Sequence, residues 1–107
     1  EYNNTGELLF EGEYINGKRN GNGKEYYKNE RLKFKGEYIN GKRWNGIGYN
    51  LKGNIVLRIE NGKGKEYYNN GNLHFEGEYY HDKRWNGIIY NYKGKEEYCV
   101  LWRTRSR

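Results

Sequence analysis

The chain has 107 residues, of which 34% are hydrophobic and 18% aromatic, with a net charge of +6. This composition does not support a thick two-layer core, but the regular recurrence of Tyr, Phe and Trp argues against disorder. The single Cys99 cannot form an internal disulfide, and no run of about 18 apolar residues or signal-peptide core occurs. We expect a cytoplasmic protein, either free or associated with a membrane surface.

The first predicted strand alternates Leu8, Phe10, Gly12 and Tyr14 with polar or charged residues, and the pattern returns at residues 32–38 and 73–79. A period of two with apolar residues on one side is typical of a half-buried strand. Shorter strands are predicted with Ile55, Leu57 and Ile59 on the apolar face, and with Ile88, Tyr90 and Tyr92 on that face against Ile89 and Asn91.

Between these strands lie the turn signals Asn16-Gly17, Asn40-Gly41 and Asn61-Gly62, whose preference for positive φ closes tight hairpins. Lys52-Gly53-Asn54 and Asn70-Gly71 are predicted turns at the opposite ends of the strands, and His81-Asp82 is a weaker turn signal. Turns every 8 to 12 residues without helical periodicity predict an antiparallel meander of about nine short strands.

The chain repeats itself with a period of 41 residues. Residues 20–53 and 61–94 are identical at 23 of 34 positions, and each unit contains two unequal subrepeats. The sequence also lacks Met, which suggests a fragment of a longer protein. We therefore expect one repeat domain over residues 1–107.

A single sheet of this size leaves an apolar face that no helix or second sheet covers. We expect the sheet to twist, with strand glycines forming a floor for neighbouring aromatic rings, so that the apolar face becomes a groove.

Three runs resemble the MORN repeat, whose pattern is an aromatic residue, Gly-Glu-aromatic, Asn-Gly-Lys and then Gly-x-Gly: Phe10 to Gly23, Phe34 to Gly48 and Phe75 to Gly87. Lys24 to Asn29 and Lys65 to Asn70 resemble a tyrosine-rich variant, and the whole resemblance covers residues 6–98. It implies an all-β fold, an elongated single-layer antiparallel β-meander of tandem β-hairpins, with roles in protein interaction, assembly or membrane adjacency and no chemistry. Trp44-Asn45-Gly46 and Trp85-Asn86-Gly87 carry one residue more than Asn20-Gly21, which predicts a bulge or a longer loop.

No residue outside the repeat suggests catalysis. His74 and His81 occupy variable positions expected to be exposed, and Cys99 has no recurring His partner. Glu13, Glu37 and Glu78 recur on the polar face, as expected for cross-strand charge pairing or turn support. With no metal-ligand spacing and no phosphate-binding loop, we expect no enzyme activity, no cofactor and no small-molecule substrate.

Two sets of residues are candidates for binding. The first is a row of basic pairs that follow the hairpin turns and could contact anionic lipid: Lys18, Arg19, Lys42, Arg43, Lys83 and Arg84. The second is the aromatic face, which could hold a protein partner: Phe10, Tyr14, Phe34, Tyr38, Trp44, Phe75, Tyr79 and Trp85. The alternatives are charged tips that only prevent aggregation and rings that only form the core.

We expect a non-enzymatic module that binds protein partners through its aromatic groove or its sheet edges, or that self-associates end to end. The alternative is a peripheral adaptor that binds anionic phospholipid through the basic tips. A carbohydrate-binding repeat is a third option. The Gly-Trp and Trp-Tyr-Tyr motifs that are typical of such repeats are missing from this sequence. Nucleic-acid binding is disfavoured because strand alternation places the rings and many charges on opposite faces.

Overall fold

A computed structural model describes residues 1–80 and 83–101, except for the side chains of residues 80, 83 and 97–101. The predictions for the His81-Asp82 turn, for the exposure of His81 and for the side chains of Lys83 and Cys99 lie outside this description. Within it the fold is all-β, and one open sheet contains nine antiparallel strands in sequence order. The strands are β1 (Phe10–Ile15), β2 (Lys18–Tyr26), β3 (Leu32–Ile39), β4 (Lys42–Tyr49), β5 (Ile55–Glu60), β6 (Lys63–Tyr67), β7 (Leu73–Tyr80), β8 (Lys83–Tyr90) and β9 (Glu96–Leu101). The predicted meander is confirmed.

The strand register aligns side chains into rows that run across the sheet. One face, here called the aromatic face, carries Phe10, Phe34 and Phe75, and none of these rings has exposed surface. The adjacent row consists almost entirely of glycines: Gly12, Gly23, Gly36, Gly46, Gly64, Gly77 and Gly87. A Cβ at Gly23 would lie 2.5 Å from the Phe10 ring and 3.0 Å from the Tyr38 ring. The predicted glycine floor under the aromatic rings is therefore present.

Type I′ turns close the hairpins at one end of the sheet, here called the tip edge. Asn40 and Gly41 have φ of 53° and 87°, as the Asn-Gly signal predicts. The second and third tips, which the structure describes, are also bonded to the hairpin before them. In the second tip, Gly41 donates its N–H to the Arg19 carbonyl at 2.8 Å, and the Asn40 N–H donates to the Asn20 side chain at 2.9 Å. The tip edge is therefore a connected row of turns.

The extents of the molecule, 41 × 35 × 23 Å, indicate a strongly twisted sheet. A flat single layer would be only about 10 Å thick, so the 23 Å extent arises from twist, which lets one sheet cover its own aromatic rings. The opposite face, here called the polar face, carries the charged residues that alternate with the aromatic ones.

Two details differ from the sequence prediction. Ile89, at 9% exposure, lies on the aromatic face, because it pairs directly with Phe75, so the assignment of Ile88 and Tyr90 to that face was wrong. The strand register confirms the predicted bulges, which lie opposite Glu37 and Glu78. The bulge in the first hairpin is larger, since Gly12 pairs with Gly23 while Tyr14 pairs with Arg19.

Candidate functional site: clusters and groove on the aromatic face

Each long hairpin holds one Glu, one Tyr and one Arg together above a buried Phe. We call this arrangement the Glu-Tyr-Arg cluster. It occurs three times, as Glu1, Tyr14 and Arg19 above Phe10, as Glu25, Tyr38 and Arg43 above Phe34, and as Glu66, Tyr79 and Arg84 above Phe75.

Glu25 is the centre of the middle cluster. The Tyr38 hydroxyl donates to Oε2 of Glu25 at 2.6 Å, and Arg43 donates to the same carboxylate through Nε at 2.9 Å and Nη2 at 2.7 Å. The Arg43 guanidinium lies 4.5 Å from the centroid of the Phe34 ring. One carboxylate thus fixes both a planar cation and a phenol in place.

The other two clusters repeat this geometry with more exposed carboxylates. The Tyr79 hydroxyl donates to Glu66 at 2.6 Å, and Arg84 Nη2 lies 2.7 Å from the same side chain. The side chain of Glu25 is 12% exposed, that of Glu66 27% and that of Glu1 42%. The three copies therefore differ mainly in how strongly the ion pair is shielded from water.

The electrostatics keep these carboxylates ionised. Burial by itself would raise the pKa of Glu25, but the hydrogen bonds and charge of Arg43 outweigh it and hold the pKa below its usual range. The hydrogen bond from Arg19 lowers the pKa of Glu1 to about 2. Burial, together with the bond to Glu25, raises the pKa of the Tyr38 hydroxyl. The carboxylate is therefore charged and the phenol protonated near neutral pH, a state that suits structural pairing.

The structure separates the two members of the first two predicted basic pairs. Lys18 and Lys42 are exposed at the tip edge. Arg19 and Arg43 instead fold back onto the aromatic face, where their guanidiniums lie 4.1 Å and 4.5 Å from the Phe10 and Phe34 rings. Arg84 does the same above Phe75, at 4.8 Å. The prediction that both residues project from the tips is wrong for the arginines, because the carboxylate and the ring hold them.

The predicted aromatic binding residues also divide into two groups. Phe10, Phe34 and Phe75 are fully buried and Tyr38 is 2% exposed, so these rings form the core and present no surface to a partner. Tyr14 is 44% and Trp44 37% exposed, while Tyr79 and Trp85 are half-buried. The partner-binding role remains a prediction for these last four residues.

A groove of about 740 Å³ lies on the aromatic face between the middle and last clusters. Leu57 and Ile59 line its interior, Trp44 lies towards the tip edge, and Glu25 and Glu66 stand on its two sides. It is located at β4 and β5, where Gly48 and Leu57 take the place of a Phe in the row.

Sequence reasoning missed Glu25 and Glu66 because the Lys-Glu-Tyr stretches look polar throughout. Two signals could have found them. Glu25 lies two residues after Gly23 and so shares its face, and Glu1, Glu25 and Glu66 recur at spacings of 24 and 41, which are the spacings of the aromatic residues.

The other singled-out residues have structural roles. Glu13 accepts a hydrogen bond from the Asn22 N–H at 2.7 Å, and Glu37 accepts one from the Asn45 side-chain amide at 2.8 Å, so these two glutamates support the bulges by hydrogen bonds. His74 stacks on Tyr68 with a centroid distance of 4.2 Å and is half-buried, which corrects its assignment as an exposed residue.

Within residues 1–80 and 83–101, no group of three or more His, Cys, Asp or Glu side chains is placed to hold a metal ion. The same part of the chain contains no helix of the length and apolar character needed to cross a membrane.

Comparison with known proteins agrees with the geometry. No curated protein and no solved structure matches the chain significantly. A family model described as MORN repeat matches residues 10–30 and 59–73, which lie within the region where the resemblance was found. These two segments therefore match the MORN repeat, and in the structure they lie in hairpins of one continuous sheet.

Proposed function

We propose that this domain is a non-enzymatic protein-interaction module that holds a segment of a partner polypeptide in the groove between the middle and last Glu-Tyr-Arg clusters. The observation that carries the proposal is the groove itself, which combines apolar lining residues, an exposed Trp44 and fixed charges in one open depression. MORN repeats are generally associated with protein or membrane interaction, which agrees with this function.

The lining residues suit a peptide with an apolar anchor. Leu57 and Ile59 offer an apolar contact, and Trp44 is the kind of large amphipathic side chain that dominates binding energy at interfaces. Glu25 and Arg43 have a fixed geometry beside this contact, so they can accept or donate hydrogen bonds to a peptide backbone with little reorganisation.

Peptide selection tests the proposal. Peptides would be selected from a random library on the immobilised domain, and their affinities for the wild type and for Trp44→Ala would be measured by calorimetry. We expect Trp44→Ala to weaken binding by about tenfold or more, as for a typical aromatic interface anchor. Leu51→Ala is the matched control, because Leu51 is 53% exposed and lies outside the groove. Selected peptides that bind Trp44→Ala as tightly as the wild type would contradict the groove as the binding site.

A second candidate function, binding to an anionic membrane surface, is favoured by the composition of the tip edge. Ile15 is 57% and Ile39 48% exposed, and they pair directly with Lys18 and Lys42. Exposed aliphatic residues beside cations are suited to the boundary between lipid headgroups and acyl chains.

Flotation with liposomes separates the two candidates. Binding at near-physiological salt that is lost in Lys18→Glu combined with Lys42→Glu, but kept in Trp44→Ala, would favour the membrane function. Failure to float at low and near-physiological salt would leave the tip lysines as residues that keep the sheet soluble.

A further inference from the structure

The polar face carries a row with four cations that form no ion pair among the residues the structure describes. Five neighbouring strands, β2 to β6, contribute one residue each to this row, and adjacent residues are direct cross-strand partners. In order across the sheet these residues are Lys24, Lys35, Ile47, Arg58 and Lys65. We call them the cationic row.

The row contains two repulsive pairs. Lys24 faces Lys35, and Arg58 faces Lys65, so two pairs of like charges stand directly opposite each other, an arrangement that destabilises a sheet. All four cations are exposed, and none forms an ion pair with another residue that the structure describes. By contrast, the arginines of the aromatic face each have a carboxylate partner. The row therefore has the charge for an anionic ligand, and its cations have no ion-pair partner in the described part of the chain.

The row also has defined ends. Glu11 on β1 pairs with Lys24, and Glu76 on β7 pairs with Lys65, so a carboxylate stands immediately beyond each outer lysine. Glu11 and Glu76 accept hydrogen bonds from Tyr26 at 2.6 Å and Tyr90 at 3.0 Å. Four strand spacings of roughly 4.8 Å give the row a length of about 19 Å.

We propose that the cationic row is a docking surface for an acidic segment of a partner polypeptide, separate from the groove on the aromatic face. The four exposed cations supply charge complementarity for carboxylates. Because the half-buried Ile47 lies at the centre of the row, the partner segment should have an apolar side chain flanked by acidic ones. A length of about 19 Å corresponds to about six residues of extended chain.

The boundaries favour a short acidic peptide over other anions. A nucleic acid or a membrane surface presents continuous negative charge, which would extend past the row and meet Glu11 or Glu76. Glu37 and Glu60, which alternate with aromatic-face residues on β3 and β5, also border the row on the side of the tip edge. A short segment can place its carboxylates between these boundaries and avoid the repulsion.

Fluorescence anisotropy with two probes of equal charge tests the proposal. The first probe is a labelled, end-capped heptapeptide with a central leucine and three glutamates on each side, and the second is a labelled heptathymidylate. We expect the peptide to bind the wild type more tightly than the oligonucleotide, with affinity falling as ionic strength rises from about 30 to about 150 mM.

Charge-reversal variants locate the site. The double variant Lys35→Glu with Arg58→Glu should lose at least about tenfold in peptide affinity. The double variant Lys28→Glu with Lys52→Glu changes the net charge equally at exposed loop residues and should bind within about twofold of the wild type. Because the first double variant removes repulsion, its melting temperature should not fall, so lost binding cannot be attributed to unfolding. No peptide binding at low salt, equal loss in both double variants, or tighter binding of the oligonucleotide would overturn the proposal.

Discussion

Glu25 organises more side chains than any other residue described on the aromatic face, since one carboxylate binds Tyr38 and Arg43 and lies 3.6 Å from Arg19. Removing a charge from such a pair leaves the remaining cations half-buried without compensation, which costs more than the pair itself contributes. The three clusters form a natural series, because their geometry is shared while their exposure differs.

We predict that Glu25→Gln destabilises the domain by about 2 kcal/mol, that Glu66→Gln has a smaller effect and that Glu1→Gln has the smallest. The order follows from the exposure of the three carboxylates, 12%, 27% and 42%, because water screens the more exposed pairs. Urea denaturation measures the three free energies of unfolding. Equal effects in the three variants would show that shielding does not determine the strength of these clusters.

At the scale of single elements, the loop between β2 and β3 contains a strained residue. Glu30 has φ of 68°, whereas Gly53, Gly71 and Gly94 stand at the corresponding positions of other loops with φ of 87° to 90°. The left-handed region costs a residue with a Cβ roughly 1 kcal/mol.

We therefore predict that Glu30→Gly raises the free energy of unfolding by about 1 kcal/mol. Lys28→Gly, in the same loop but without a positive φ, should be neutral or destabilising, because glycine adds only entropy to the unfolded chain there. Thermal denaturation of both variants gives the comparison. A stabilisation by Lys28→Gly as large as that by Glu30→Gly would contradict the strain argument.

The like charges of the cationic row also lead to a prediction about the stability of neighbouring strands. Lys35→Glu places a carboxylate opposite Lys24 and should stabilise the sheet by about 0.5 kcal/mol, the size of a cross-strand charge pair. Denaturant unfolding at low and high salt measures this effect, which should shrink as salt screens the charges. A loss of stability would show that Lys35 makes a favourable contact in the wild type.

The sequence was sufficient to predict those elements whose signals are local. Alternation gave the strands, and Asn-Gly gave the tips, because both depend only on neighbouring residues. The assignment of Ile89 to the polar face was wrong because the bulge in each long hairpin changes which residues oppose one another. Glu25 and the cationic row were missed for another reason: they become visible only when the register of several strands is known.

The whole molecule should be sensitive to acid, because all three cluster carboxylates titrate below their usual pKa range. Burial alone would raise the pKa of Glu66, but its bonds to Arg84 and Tyr79 lower it. Lowered pKa values mean that the folded state binds protons less readily than the unfolded state. The stabilisation is therefore complete above the ordinary pKa of 4.5 and is lost as pH falls through the folded values, down to about 2 for Glu1.

We predict that the melting temperature is flat near neutral pH and falls between about pH 4.5 and pH 2. The variant Glu25→Gln should start from a lower melting temperature and lose less of it over this interval, since one of the titrating groups is absent. Calorimetric scans at a series of pH values measure both curves. Parallel curves for the two proteins would contradict the assignment of acid sensitivity to the clusters.

For the whole molecule, we propose that a single layer of strands offers two independent binding surfaces, one on each face. Methyl and indole NMR spectra test this claim most directly, because Trp44, Leu57 and Ile59 report on the groove and Ile47 on the cationic row. A groove-selected peptide should shift the signals of Trp44, Leu57 and Ile59, and the glutamate-rich peptide should shift Ile47, with each peptide binding undiminished when the other is present. Shifts of the same signals by both peptides, or displacement of one peptide by the other, would contradict the account.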